Sequence, residues 1–268
     1  MAYVGDLRKM RTRLEAAGET VAYELVVGDA LLPLNPLLAS RVRLRHTGTI
    51  RCTACGRVTN KSFGQGFCYP CFRDAPESSP CIIRPELCEA HTGGGRDPAW
   101  EQRHHNRAHF VYLAVSSGLK VGVTRGDQLP TRWIDQGAWR AIVLAETPNR
   151  YESGRIEVSL KEHVSDRTNW QRMLKNMVAE DIVLSEEKER LSGLLPAALQ
   201  GRVSADNTVT ELRYPVLEYP TKVKSLSFDK TPEIDGTLLG IKGQYLLLDG
   251  GRVLNIRKHR GYEIEAHL

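Results

Sequence analysis

The chain has 268 residues, 41% of them hydrophobic and 26% charged, with a formal net charge of +5 and a pI near 8.9. No apolar run approaches the roughly 20 residues that span a bilayer, and the apolar content is too high for a disordered polymer. The composition therefore excludes a helical membrane protein and implies a soluble chain with core enough for two or three compact units. The mild basic balance permits an anionic partner without requiring one.

Met1 to Ala30 carries charges at Asp6, Arg8, Lys9, Arg11, Arg13 and Glu15 and has no apolar stretch of the secretory type, so a cytoplasmic address is expected. Residues 1–50 read as a small β unit. Val21 to Val27 is an extended apolar run that ends at the turn Gly28-Asp29. Val42, Leu44 and His46 alternate with Arg41, Arg43 and Arg45, placing three arginines on one face of a strand, towards solvent or phosphate.

Two cysteine pairs follow, Cys52-Thr53-Ala54-Cys55 and Cys68-Tyr69-Pro70-Cys71, twelve residues apart. Two CxxC knuckles can bring four thiolates onto one tetrahedral Zn²⁺, and Gly56, Gly64 and Gly66 let the backbone turn tightly around converging sulfurs. Disulfides or buried free thiols are the alternative, and a reducing compartment disfavours the former. Four thiolates close the coordination shell, so this ion is structural.

A second group lies in the same 51–109 module. Cys81, Cys88 and His91 are followed by His104, His105 and His109. A second zinc site would take Cys81, Cys88, His91 and one of the later histidines, His105 being the choice and His104 and His109 the alternatives.

Residues 110–202 read as an α/β core with a helical extension. His109 to Val115 and Leu119 to Arg125 form a hairpin around Ser116-Ser117-Gly118. A helix from Leu129-Pro130-Thr131-Arg132, a strand from Ala141 to Leu144 and a helix from Tyr151 to Val164 follow, the last with Ile156, Leu160 and Val164 as its apolar stripe. Thr168 or Asn169 is placed to cap a helix through Met173, Leu174 and Met177, and Ser185 to cap another running to Leu195 before Pro196.

Val111-Tyr112, then Val121-Gly122, Arg132 and a later helical Glu157 resemble the GIY-YIG endonuclease superfamily. The strand Lys120-Val121-Gly122-Val123-Thr124 is closer to its phage-type branch, whose second motif reads KIGxT. The resemblance covers about Phe110 to Asp166. It implies a phosphodiesterase site in which Glu157 holds Mg²⁺ or Mn²⁺, Arg132 faces the scissile phosphate and Tyr112 lies where water is activated. Two positions depart from the pattern: Phe110 stands for the first glycine and Val121 for the second motif tyrosine, which removes one candidate base. The wider arrangement is similar to an uncharacterised bacterial family of domain-of-unknown-function type. That likeness runs from the double CxxC through Arg132 to Ala138 and Asp166 to Trp170, and on to Asn255-Ile256-Arg257-Lys258-His259.

Residues 203–268 return to short strands, Val209 to Tyr214, Lys222 to Phe228, Gly236 to Ile241, Gln244 to Leu248, Arg252 to Ile256 and Tyr262 to Ala266, and predict a small SH3-like or OB-like barrel. Arg257, Lys258 and Arg260 beside Tyr262 form a candidate nucleic-acid contact, with Lys120 and Arg125 of the core as further candidates. The fold class is therefore α+β: an N-terminal β unit with a zinc-ribbon-like module, a GIY-YIG-like core and a C-terminal barrel. The expected function is zinc-organised DNA or RNA binding with a metal-dependent endonuclease core and no membrane partner. A non-catalytic adaptor and a protein-interaction module are the alternatives.

Overall fold

A computed structural model of the protein describes residues 2–14, 16, 18–164 and 169–268. Glu15 and the run Asp166-Arg167-Thr168, used in the sequence readings above, lie outside them. Strands β1 (Ala2–Asp6), β2 (Arg11–Arg13), β3 (Ala22–Val27), β4 (Ala30–Pro33) and β5 (Arg41–Ile50) precede helices α1 (Tyr69–Asp74) and α2 (Pro98–His104). Then come β6 (His109–Val115), β7 (Leu119–Arg125), α3 (Thr131–Asp135), β8 (Arg140–Thr147), α4 (Arg150–Leu160), α5 (Trp170–Leu174), α6 (Leu184–Gly193) and α7 (Ala197–Gln200). The remaining strands are β9 (Thr210–Glu211), β10 (Lys224–Leu226), β11 (Glu233–Lys242), β12 (Tyr245–Leu248), β13 (Arg252–Asn255) and β14 (Tyr262–His267). The fold is mixed α+β. Among the described residues no helix is long and apolar enough to cross a membrane.

Two compact units are formed: Met1–Arg73 with Leu174–Asn176 and Arg213–Leu268, and Asp74–Met173 with Met177–Leu212. In the first, a seven-stranded sheet runs β1-β14-β5-β11-β12-β13-β10, and β2-β3-β4 make a second, three-stranded sheet. Strands from 1–50 and from 203–268 thus share one sheet. β5 alternates as expected: Val42 and Leu44 are buried, and Arg41, Arg43 and Arg45 face outward. Those arginines are not a free phosphate face. Arg41 Nε donates to Asp235 Oδ1 at 2.6 Å and Arg45 pairs with Glu265, because the neighbouring strands β11 and β14 place acidic residues diagonal to the first and directly opposite the second.

The second unit has a four-stranded antiparallel sheet, β7-β6-β8-β9. Val111, Leu113, Val115, Ile142 and Leu144 pack with Ile156 and Leu160 of α4, and with Leu184 and Leu191 of α6. β9, expected as the first strand of the C-terminal barrel, pairs instead with β8, where Thr210 lies opposite Ala141. Helix α6 begins one residue before its expected cap. Val183 holds the capping position without a side-chain bond, since Leu184, 2% exposed, draws the first turn into the core. Asn169 caps as expected, accepting from Arg172 N at 3.1 Å.

Lys242 in β11 is 1% exposed, its Nζ donating to Asn176 Oδ1 at 2.8 Å and lying 5.3 and 5.2 Å from the ring centres of Tyr214 and Tyr219. Burial pulls its pKa down to about 8 from the ordinary 10.5. Below pH 8 the charged amine is carried in both folded and unfolded chains and burial penalises the fold; between 8 and 10.5 only the unfolded chain keeps the proton. Stability is therefore expected to rise with pH across that window by up to roughly 3 kcal/mol. In paired denaturant titrations at pH 7 and pH 10, this increment should be present in the native protein and absent from Lys242→Met.

Candidate metal centres and the hairpin site

In the first unit, β5 ends at Ile50 and hands the chain to a turn in which Cys52 N donates to Arg57 O and Gly56 N to Cys52 O, both at 2.8 Å. The second knuckle is closed by mutual bonds of 2.9 Å between Phe63 and Phe67, and Cys71 lies in α1, where Phe72 N donates to Cys68 O. Gly56, Gly64 and Gly66 all take positive φ. The four sulfurs of Cys52, Cys55, Cys68 and Cys71 lie within 4.8 Å of one another, a group able to hold a metal ion. Cys55 Sγ and Cys68 Sγ are 3.8 Å apart. Metal–sulfur bonds of about 2.3 Å put tetrahedral sulfurs about 3.8 Å apart, whereas a disulfide needs about 2.05 Å.

Burial alone would raise the Cys52 thiol, but amide groups of Cys68, Cys55 and Ala54 bring it down to about 6. Burial and the adjoining sulfurs push Cys71 up. Without a cation, four crowded sulfurs resist a second negative charge; a divalent ion removes that conflict.

Around this cluster lies a surface that the motif reading passed over. Tyr69 is 58% and Phe72 41% exposed. Phe63 stands between them, its ring 5.5 Å from Tyr69 and 6.0 Å from Phe72, with Lys61 Nζ 5.3 Å from its centre. Arg57 and Lys61 are exposed. The 257–260 segment adjoins the second knuckle: Arg257 Nε donates to Gln65 Oε1 at 2.6 Å, and the Arg260 Cβ packs beside Gly66. Lys258 is exposed, and burial lowers the pKa of the half-buried Arg260. Tyr69 and Phe72 were legible as aromatic residues inside and after a CxxC, but their exposure was not.

Tyr262 is placed differently from the stacking role expected of it. It is 5% exposed, packs its ring 5.2 Å from His259 and 5.0 Å from His46, and donates its hydroxyl to Asp229 at 2.8 Å. The cause is strand parity: Tyr262 opens β14 on its inward face, together with Ile264 and Ala266.

In the second unit, Cys81, Cys88 and His105 converge as expected, with Glu101 beside them. His91 is elsewhere, exposed and stacked 4.3 Å from the Tyr151 ring. His104 Nδ1 bonds Arg125 Nη1 at 2.7 Å, and His109 donates Nδ1 to Arg107 O at 2.7 Å. Glu101 was legible in principle: four residues before His105, it shares that residue's face of helix α2. Hydrogen bonding to Cys88 first, against the opposing effect of burial, and then to His105 and Ser79, draws the Cys81 thiol down to about 4. Its partnership with Cys81, together with burial, pushes Cys88 up, and burial raises Glu101.

The hairpin site forms where β6 and β7 pair Tyr112 with Gly122. The tyrosine ring lies over the glycine so closely that a Cβ there would stand 2.5 Å from its hydroxyl. Gln136 Nε2 donates to that hydroxyl at 2.7 Å. Tyr112 is fully buried, which raises its pKa, while Arg132 bonds it and lowers it, and Glu157 raises it through charge. Tyr112, Arg132 and Glu157 therefore act on one electrostatic cluster. Arg132 is half-buried and its Nε has no hydrogen-bond partner. Glu157 is 8% exposed, with Lys161 Nζ at 3.9 Å. Lys120 is 7% exposed, and Arg125 is held by His104 and, at 3.5 Å, by Asp127.

The family described as protein of unknown function, DUF2797, matches residues 39–264, a span that contains both cysteine groups and the hairpin site. No curated protein and no solved structure matches the chain.

Two substitutions probe these arrangements. Cys68→Ser should remove the ion of the Cys52–Cys71 cluster, read by metal analysis, and abolish hydrogen-exchange protection over residues 51–73, because metal binding supplies the folding free energy of a segment with so little core. Gly122→Ala should destabilise the protein by about 1–3 kcal/mol through overpacking against Tyr112. In a double-mutant cycle the penalty should shrink in a Tyr112→Leu background.

Proposed function

We propose, for a chain that belongs to the DUF2797 family of proteins of unknown function, that it is a zinc-organised nucleic-acid-binding protein acting in a reducing, cytoplasmic compartment. The observation that carries this reading is the exposed aromatic and cationic surface around the four-cysteine cluster. Tyr69 and Phe72 offer ring faces to unpaired bases, and Arg57, Lys61, Arg257 and Lys258 offer charge to the backbone between them. Sequence-tolerant stacking of this sort suits single-stranded DNA or RNA. Zinc is the ion of choice, since four thiolates at tetrahedral spacing select a soft-tolerant d¹⁰ cation over Mg²⁺ or Ca²⁺.

The hairpin core is read as GIY-YIG-like and as the seat of phosphodiester cleavage. Support comes from the hairpin, helix, strand, helix order and from the grouping of Tyr112, Arg132 and Glu157. The half-buried Arg132 guanidinium, whose Nε is buried without a partner, would stabilise charge growing on a phosphate oxygen. Glu157 is a single-carboxylate donor of the type that Mg²⁺ or Mn²⁺ accepts when substrate oxygens and water complete the shell, and the bound ion would supply Lewis-acid activation. Gln136 fixes the Tyr112 hydroxyl.

A second reading, binding without cleavage, is favoured by the same tyrosine. Tyr112 is 0% exposed with a raised pKa, and Val121 replaces the other motif tyrosine, so neither is set to take a proton from water.

Binding should be measured by fluorescence anisotropy on labelled single-stranded DNA and RNA over a salt series, alongside cleavage with Mg²⁺ or Mn²⁺. Tyr69→Ala with Phe72→Ala should weaken binding by roughly 30-fold or more, stacking being worth about 1–3 kcal/mol per base. Glu157→Ala should leave affinity unchanged and abolish any cleavage. Affinity indifferent to the aromatic pair would overturn the binding reading; binding without cleavage by the native protein would select the second reading over the first.

A further inference from the structure

We propose that the second unit carries a metal centre of its own, in which Cys81, Cys88, Glu101 and His105 hold a zinc ion that fastens the segment 76–92 onto the first turns of α4. This inference is independent of nucleic-acid binding and of catalysis.

The four residues are close enough to form a closed four-ligand shell. One ligand atom from each of the four residues lies within 4.8 Å of the other three. Cys81 Sγ and His105 Nδ1 are 3.6 Å apart, and bonds of about 2.3 Å to sulfur and about 2.05 Å to nitrogen give a tetrahedral edge of about 3.6 Å. The same Nδ1 is also in ion-pair contact with Glu101 Oε2, a buried oxygen with no further partner. A single ring nitrogen cannot serve a thiol and a carboxylate with one proton. Convergence of all three on a shared cation explains the arrangement.

Charge supports the same conclusion. All four residues are at most 7% exposed, and a carboxylate and two thiols sequestered from water need a compensating cation. Two thiolates, one carboxylate and neutral histidine with Zn²⁺ leave one negative charge. Arg150 stands by to offset it, its Nε donating to Cys81 O and its Nη2 to Ile82 O, both at 2.9 Å. Ser79 Oγ lies 3.1 Å from Cys81 Sγ and His105 O accepts from Arg150 N, so the outer groups that orient the ligands are present as well.

The segment buries little apolar side chain of its own. Its short 3₁₀ turns, Pro76–Ser78, Pro80–Ile82, Pro85–Leu87 and Ala90–Thr92, carry Ile82, Ile83 and Leu87 exposed, and its apolar cluster is Cys81, Cys88 and Ala90 against Tyr151. Yet it lies directly on α4. A Cβ added at Gly154 would stand 2.2 Å from Glu86 N, and Arg150 and Tyr151 are gripped by the Cys81 turn and His91. Zinc therefore clamps the base of the helix that carries Glu157.

Native mass spectrometry of the full-length, untagged protein tests the proposal by counting ions. The native chain should carry two zinc ions, Cys81→Ser with Cys88→Ser one, and Cys52→Ser with Cys55→Ser the other one. X-ray absorption on this last variant should report about two sulfur and two nitrogen or oxygen neighbours. Hydrogen exchange over residues 150–160 should quicken in the Cys81/Cys88 variant and stay native in the Cys52/Cys55 variant. Should the Cys81/Cys88 variant fail to fold, the native count decides, with Glu101→Gln expected to release one zinc at roughly tenfold lower chelator. One zinc in the native protein, or two retained without Cys81 and Cys88, would overturn the proposal.

Discussion

Convergence of thiol sulfurs in a segment that has almost no apolar interior is the constraint on which the candidate functional surface depends. Between Arg51 and Arg73 the buried residues are Cys52, Gly66, Phe67 and Cys68. Burial of so little surface falls far short of the ordering entropy of more than twenty residues. A metal ion held by the four sulfurs would supply the cooperativity that hydrophobic area does not, leaving the aromatic side chains of the segment outside any core. Tyr69 and Phe72 stand in solvent, outside the few buried residues of the knuckles.

The hairpin site follows the opposite logic. Its polar groups are packed into a conventional core, where β6 is buried along almost its whole length and helix α4 covers it. Tyr112 needs the missing side chain of Gly122, and its hydroxyl takes a bond from Gln136. A buried phenol with satisfied bonds is a rigid positioning element and a poor acid or base near neutrality. The half-buried Arg132 keeps one buried N–H without a partner beside it.

Charge needs the same care as motif. Three arginines alternating along β5 look like a phosphate-binding row, but the acidic residues that answer them lie about 190 to 220 positions away in sequence. Tyr262 beside three basic residues looks like a stacking platform, but strand parity turns it inward to Asp229. His91 carries a ligand's chemistry at a plausible spacing, yet a buried carboxylate one turn before His105 takes the place beside the sulfurs. In the first two cases the residue type was read correctly and the partner was non-local.

From sequence alone came the four-cysteine cluster, the hairpin with its following helix, strand and helix, and the convergence of Cys81 and Cys88 with His105. These are local matters, set by ligand spacing, by period-2 and period-3.6 patterning and by turn residues, all of which act over a few neighbours. Tertiary structure decided what no local rule reaches. It joined strands from both ends of the sequence in one sheet, paired β9 with β8, buried Tyr262 and Lys242, and exposed Tyr69 and Phe72. The physical reason is that burial and ion pairing depend on which distant segment arrives opposite a residue, and that is chosen by the free energy of the whole packed unit.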